Sequence, residues 1–326
     1  MVSTNEPTME VWAVETPGPI ASQPLVRVER SVPSPGPGEV LVRVATCGVC
    51  RTDLHLAEGD LAPKRPLVVP GHEVVGVVDQ CGEGAARFNV GDRVMAIVAG
   101  GGQAELAVVH ERVLMPVPGN LDWPEAGGVP EVFTTAHDAI FTQAGLEPGE
   151  HLLVHGGAGG VGTAAIQLAR AAGARVTATV RNPDLRDEVA KLGAEAIAPE
   201  DFGEHGPFDV ILELVGAPNL ADNVNALSIA GRIAVIGIGA GAKGELHLGA
   251  LMAKRGRIYG SMLRPRPLEE KALTARGVER SVLPLLAEGV VHVPIAATYP
   301  LEQAEEAYDR FAAGGKLGKI VLVMGA

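Results

Sequence analysis

Between about residue 10 and residue 118 the apolar positions fall in short β-branched runs broken by Pro and Gly: VWAV, PLVRVE, PGEVLVRVATC, EVVGVVDQ, GDRVMAIV and ELAVV. Runs of this length between turn residues predict an all-β, barrel-like unit. From Leu152 the pattern changes. LLVHG, ARVTATV, AEAIA, FDVILEL, RIAVIGI and RIYGS read as short apolar strands, and most gaps between them hold Ala/Leu-rich stretches of helical period. Such alternation predicts a parallel, doubly wound sheet with crossover helices, an α/β architecture. Beyond about residue 265, a helical LEEKALTARGVERSVLPLLAEG leads to a strand VHVPIAATY, a helix LEQAEEAYDRFAAG and a strand KIVLVMG, a tail that returns to the first unit. Length agrees with two units, because 326 residues exceed what one core usually serves. The pattern divides the chain into 1–124 with 265–326, and 125–264.

Composition removes some classes of function. A formal charge of -12 leaves no basic surface for phosphate backbones, and 3% aromatic residues leave no stacking platform for single strands. The start, MVSTNEPTMEVW, lacks the basic and apolar regions of a signal peptide, and no apolar run approaches the ~20 residues that span a bilayer. Three cysteines, Cys47, Cys50 and Cys81, make no disulfide framework and suit a reducing compartment. A cytoplasmic protein is expected, acting on a small molecule rather than on nucleic acid or membrane.

Two stretches carry chemistry. After the strand beginning at His151 comes HGGAGGVG, ending at Gly162 and opening the helix TAAIQLARAAG. Gly157, Gly159 and Gly162 fit GxGxxG. In a dinucleotide site the first glycine serves the tight turn, the second lets the backbone approach a pyrophosphate, and the third lets helix and strand pack closely. The free amides that open the helix, at Gly160, Val161 and Gly162, would meet the phosphates. The strand that follows ends in Val180, Arg181 and Asn182 with no acid for a ribose 2′-hydroxyl. Arg181 would pair with a 2′-phosphate, so NADPH is expected over NADH. The alternative is that Arg181 is a solvated strand end and Asp184 takes the ribose. The second stretch is Cys47-Gly-Val-Cys50-Arg51-Thr52-Asp53-Leu54-His55, followed after a Pro-rich loop by Gly71-His72-Glu73. Thiolate, imidazole and carboxylate are the ligand set of a catalytic zinc with one open position.

With these motifs in place, the whole chain resembles the medium-chain dehydrogenase/reductase superfamily, whose GroES-like catalytic domain is interrupted by a Rossmann domain. CGVCRTDLHLAEGD and VPGHEVVG resemble zinc alcohol dehydrogenases. GGGQAELAVV, VPEVFTTAHDAIF, LLVHGGAGGVGTAAIQLA and LEEKAL resemble NADPH-dependent quinone oxidoreductases instead. The first resemblance implies zinc ligands Cys50 and His72, with Glu73 as an exchangeable ligand or neighbour. It also implies Thr52 and His55 as a proton relay, Asp53 behind the metal, and Arg51 near the cofactor pyrophosphate. Lys319 matches a basic position close to Asp53 and the phosphates. Setting PEVFTT against the alcohol-dehydrogenase pattern GCGFST puts Glu131 where a third, cysteine ligand would stand. GDRVMAIVAGGGQAEL runs on with no cysteine lobe, so one catalytic zinc and no structural zinc is expected. The activity implied is zinc-assisted hydride transfer between NADPH and a small alcohol or carbonyl substrate. A zinc-independent quinone or enone reductase is the first alternative, and a non-catalytic NADPH-binding protein the second. The strand Arg257–Ser261 reads as a bare apolar sheet edge, which together with the resemblance implies a homodimer or homotetramer.

Overall fold

The computed structural model describes residues 7–61 and 67–325. The first six residues of the segment read for a leader, and 62–66 of the Pro-rich loop, lie outside that description. Strands β1 (Thr8–Val14) and β2 (Leu25–Ser31) pair as an antiparallel ribbon, and β3 (Glu39–Val49), β4 (Glu73–Cys81), β5 (Arg93–Ile97), β6 (Leu106–His110) and β7 (Met115–Pro116) follow in the barrel-like unit. Next come β8 (His151–His155), β9 (Arg175–Thr179), β10 (Glu195–Ile197), β11 (Phe208–Glu213), β12 (Leu227–Val235) and β13 (Arg257–Gly260). The last two strands are β14 (Ile295–Pro300) and β15 (Lys319–Val323).

The chain tail does return. One sheet runs β14-β15-β3-β4-β5-β7 with β6 on β3, and β15 lies antiparallel to β3 with Leu322 opposite Cys47 and Ile320 opposite Val49. The end of the chain is thereby laid beside the cysteine motif. β3 pairs with β15, β4 and β6, and its apolar alternation gives way to an unbroken buried run from Thr46 to Val49.

The second sheet is parallel throughout, in the order β10-β9-β8-β11-β12-β13. The chain starts at β8, builds outward through β9 and β10, then resumes on the other side of β8 with β11. A crevice therefore opens at the carboxyl ends of β8 and β11, where doubly wound sheets bind ligands.

Four helices place the site: α1 (Arg51–Glu58), α2 (Trp123–Gly127), α3 (Val129–His137) and α4 (Gly160–Ala171). All of α3 except Glu131 is buried, because it packs against α4 and against β4 and β5; it continues as a π-helical stretch, Asp138–Gln143. Asp138 is buried and bonded by Arg266 at 2.6 Å, which ties the outgoing passage between the units to the returning one after β13. Among the described residues no helix is long and apolar enough to cross a membrane.

Candidate active site

The glycine-rich turn sits at the carboxyl end of β8, over the crevice. The left-handed backbone falls on Gly156 (φ 76°), not on Gly157, so Gly156 is the residue that makes the tight turn. Gly157 is required for space: a Cβ there would stand 2.8 Å from Cβ of Ala178 on β9. At Gly162 a Cβ would stand 2.4 Å from the Gly156 carbonyl oxygen, so the helix closes on its own turn only with glycine at this position. Gly159 caps α4 and is exposed, leaving its backbone open to a ligand. Gly160 and Val161 begin the helix half-buried, and no acid stands in its first turn. A cradle that a methyl would fill, at the amino end of a helix, fits a pyrophosphate. Arg181 is exposed just past β9, and no carboxylate ends that strand. Asp184 lies in the following turn, its backbone amide bonded to Asn182 Oδ1 at 3.1 Å.

The second cluster forms where β3 meets α1. Cys50 is the N-cap: its Sγ accepts from the Thr52 amide at 3.0 Å, while the Asp53 carboxylate accepts from the Cys50 amide at 3.2 Å. This is a capping box with a thiol in place of the usual hydroxyl. Asp53 also accepts from the Gly71 amide at 2.8 Å and faces His72 Nδ1 at 3.2 Å, so it fixes the imidazole's orientation. The other ring nitrogen, Nε2, lies 3.0 Å from Cys50 Sγ and 3.3 Å from a Glu131 oxygen. Burial opposes charge on the His72 ring, but Cys50 and Asp53 outweigh it and hold its pKa well above the ordinary value. Burial likewise pushes the Asp53 and Glu131 carboxyls up, yet both end below their ordinary values, chiefly because His72 faces each of them.

Zinc bonds of about 2.0–2.3 Å set tetrahedral ligand atoms roughly 3.3–3.6 Å apart. His72 Nε2 stands 3.0 Å from Cys50 Sγ and 3.3 Å from Glu131, near that spacing, and Asp53 on Nδ1 is the outer carboxylate that metal-bound histidines use. The donor set fits a zinc. Glu73 is not part of it. Its Oε1 is bonded by Lys319 Nζ at 2.5 Å and its Oε2 by the Glu131 amide at 3.0 Å, so both oxygens are occupied. Cys47 is fully buried, with burial pushing its thiol pKa up, and it too stands outside the donor set.

Lys319 reaches the glycine turn with its stem and spends its charge inside the protein. Its ammonium turns inward to Glu73 and to the Val49 carbonyl at 3.2 Å, and only its stem approaches the glycine turn, 2.9 Å from where a Gly160 Cβ would be. Arg51 opens α1 and is exposed, its guanidinium 5.7 Å from the Phe311 ring centre. Thr52 and His55 lie three residues apart on α1, on one side of the helix, and His55 Nδ1 pairs with Asp60 at 2.7 Å.

Residues 36–119 match a profile described as the alcohol dehydrogenase GroES-like domain, and residues 160–276 one described as zinc-binding dehydrogenase. A quinone oxidoreductase of Rattus norvegicus is 32% identical over 313 residues, spanning 90% of this chain and 91% of that protein. The chain belongs to the medium-chain dehydrogenase/reductase superfamily. An acryloyl-coenzyme A reductase of Metallosphaera sedula is 30% identical over 321 residues, covering 89% of this chain and 93% of that one. A mycobacterial protein solved with NADPH superposes with a TM-score of 0.86 at 27% identity, over 97% of this chain and 99% of that one. The chain is thus an oxidoreductase with the GroES-like and Rossmann units of that superfamily.

Sequence reasoning missed several residues that hold this superfamily site together. Gly48 is one, since a Cβ there would stand 2.2 Å from Glu73 Oε1. Under the nucleotide crevice, buried His155 bonds Asn223 Oδ1 at 2.7 Å, and buried Glu213 accepts from the Val215 and Gly216 amides at 2.6 and 2.8 Å. A polar residue closing each apolar run, LLVH and VILE, is the signal that would have found them. Arg186 is a further cation at the end of β9, its Nε on the Val180 carbonyl at 3.1 Å.

Proposed function

We propose that this superfamily member is an NADPH-dependent reductase of small conjugated carbonyl compounds, quinones or enones, working without a metal. The similarity across 90% of the chain to a protein named for quinone reduction carries the reading. The acryloyl-coenzyme A reductase adds a second relative whose name gives a conjugated carbonyl. Exposed Arg181, with no acid at the end of β9, supports NADPH over NADH.

When bound, the nicotinamide supplies a hydride to the conjugated carbon, and one proton must follow to balance it. The chain's residues deal with that proton and with position. The turn from Gly156 to Gly162 and α4 hold the dinucleotide, and Asp53 orients His72 beside the reacting end. Thr52 and His55 form a proton path from α1 to solvent, since a hydroxyl both donates and accepts and each imidazole nitrogen can do one or the other. Residues 1–124 with 265–326 would form the catalytic unit and 125–264 the nucleotide unit.

A second reading is favoured by one observation, the closeness of both Cys50 and Glu131 to His72 Nε2. Those residues would hold one zinc, and zinc there would supply Lewis acidity to the oxygen of an alcohol or simple carbonyl. Turnover of a benzoquinone, an aliphatic enone and an aliphatic aldehyde, each with NADPH and NADH and with and without chelator, separates the two. The first reading expects NADPH-driven quinone or enone reduction that survives chelation. Turnover confined to the aldehyde and lost to chelator would sink it in favour of zinc. NADPH binding with no turnover of any of them would leave a non-catalytic binding protein.

A further inference from the structure

Lys316 lies in the loop that leads into β15, and that loop is docked on the glycine-rich turn. The Gly318 amide donates to the Ala158 carbonyl at 2.9 Å, and an isolated parallel bridge pairs Gly318 with Gly159. Lys316 Nζ donates to the Gly318 carbonyl at 2.6 Å and stands 4.7 Å from the centre of the Phe311 ring. Arg51 comes to the same ring from α1. A cation over an aromatic face is attracted by the negative potential of the ring. Among the described residues no carboxylate forms an ion pair with Lys316 or Arg51. Burial, then the neighbouring cations Lys319, Arg310 and Arg51, lower the Lys316 amine to about 8. In a chain of net charge -12, this is a concentration of uncompensated positive charge at the lip of the nucleotide turn.

We propose that Lys316, not Lys319, is the cation of the C-terminal loop that binds the dinucleotide pyrophosphate, working with Arg51 across the Phe311 ring. The inference rests on the nucleotide reading above. Lys319 is unavailable because Glu73 neutralises it inside the protein. Lys316 has only a carbonyl as partner, and an ammonium has three protons to give. A phosphate would therefore add a charge-assisted bond and relieve the crowding of like charge.

Binding of NADPH and of 2′-AMP, which carries the 2′-phosphate but no pyrophosphate, is followed by fluorescence and calorimetry for wild type, Lys316→Met, Lys316→Arg and Arg181→Ala. Lys316→Met should weaken NADPH binding roughly 10- to 100-fold, as loss of a charged bond does, and leave 2′-AMP within twofold. Lys316→Arg should recover most of the affinity. Arg181→Ala should weaken both ligands. An unchanged NADPH affinity in Lys316→Met would overturn the proposal, as would equal losses for NADPH and 2′-AMP, which would mean that Lys316 only braces the loop. If wild type binds neither NADPH nor NADH, it is the nucleotide reading itself that fails.

Discussion

Replacing Lys319 with methionine tests the inward-facing lysine directly. Glu73 has no exposed surface and Lys319 is 3% exposed, so neither charge has water to fall back on. In Lys319→Met the Glu73 carboxylate keeps one partner, the Glu131 amide, and loses its counter-charge. Removing one member of a buried pair costs roughly 3–5 kcal/mol, far more than a surface pair. At about 2–4 °C per kcal/mol for a unit of this size, the melting temperature should fall about 6–20 °C. Combining Lys319→Met with Glu73→Gln removes the orphaned charge while keeping an acceptor for the Glu131 amide, so the double variant should recover most of the loss. Calorimetric melting of the four proteins gives the coupling. A Lys319→Met protein melting within 2 °C of wild type would refute the buried-pair argument, and so would a double variant whose loss equals the sum of the two. At temperatures where the variant is folded, its NADPH affinity should stay within about threefold, since the lost bond is not to phosphate.

Three further outcomes are expected. On the second, zinc reading, zinc titrated into metal-stripped protein should bind once per chain; Cys50→Ser and His72→Ala should abolish that binding and Glu131→Gln weaken it, while Glu73→Gln keeps it, and no binding in the wild type would reject that reading. NADPH affinity should be full below pH about 8 and fall tenfold per unit above it, because phosphate raises the Lys316 pKa from its free value of about 8 and the deprotonated free form must be recharged. The groups facing that amine are Lys319, Arg310, Arg51 and Cys50, and Lys316→Arg should flatten the profile up to pH 9.5; a flat wild-type profile contradicts the assignment. Lastly, β13 lies at the sheet edge with exposed Leu248, Met252 and Met262 nearby, so light scattering should give the mass of two or four chains, and a single-chain mass would exclude self-pairing there.

Much of this was legible in the sequence because it is written locally. Strand runs of four to eight apolar residues, the glycine turn after LLVH, and the cysteine motif each depend on neighbours a few residues apart. The partition of roles within them was less so. Gly156 and Gly157 are equivalent as letters; only the backbone angle at one and Ala178 beside the other separate turn from clearance. The choice between Glu73 and Glu131 depended on long-range pairing. Glu73 follows His72 directly, yet it opens β4 and its side chain meets Lys319, 246 residues away. Glu131 reaches His72 only because α3 crosses over β4. Lys319 and Lys316 are both lysines of GGKLGK, and nothing in that string says which turns inward.

The same first turn of α3 sets the spacing on which any chemistry here depends. The nucleotide turn belongs to the parallel sheet and His72 to the barrel-like one, and α3 is what stands between them. Glu131 touches His72, while its neighbour Val132 meets Gly160, where a Cβ would stand 2.6 Å from a valine methyl. The Glu131 amide is in turn pinned to Glu73, and the stem of Lys319 packs under Gly160 from below. One residue of helix thus fixes the offset between the hydride donor's cradle and the group that would polarise or protonate the substrate. A methyl at position 160 has room only if the turn moves away from α3, which carries the nucleotide away from His72. A displacement of about 1 Å in such a pair can cost about 100-fold in rate. Gly160 is therefore held to glycine by the distance between two sites as well as by the loop it belongs to.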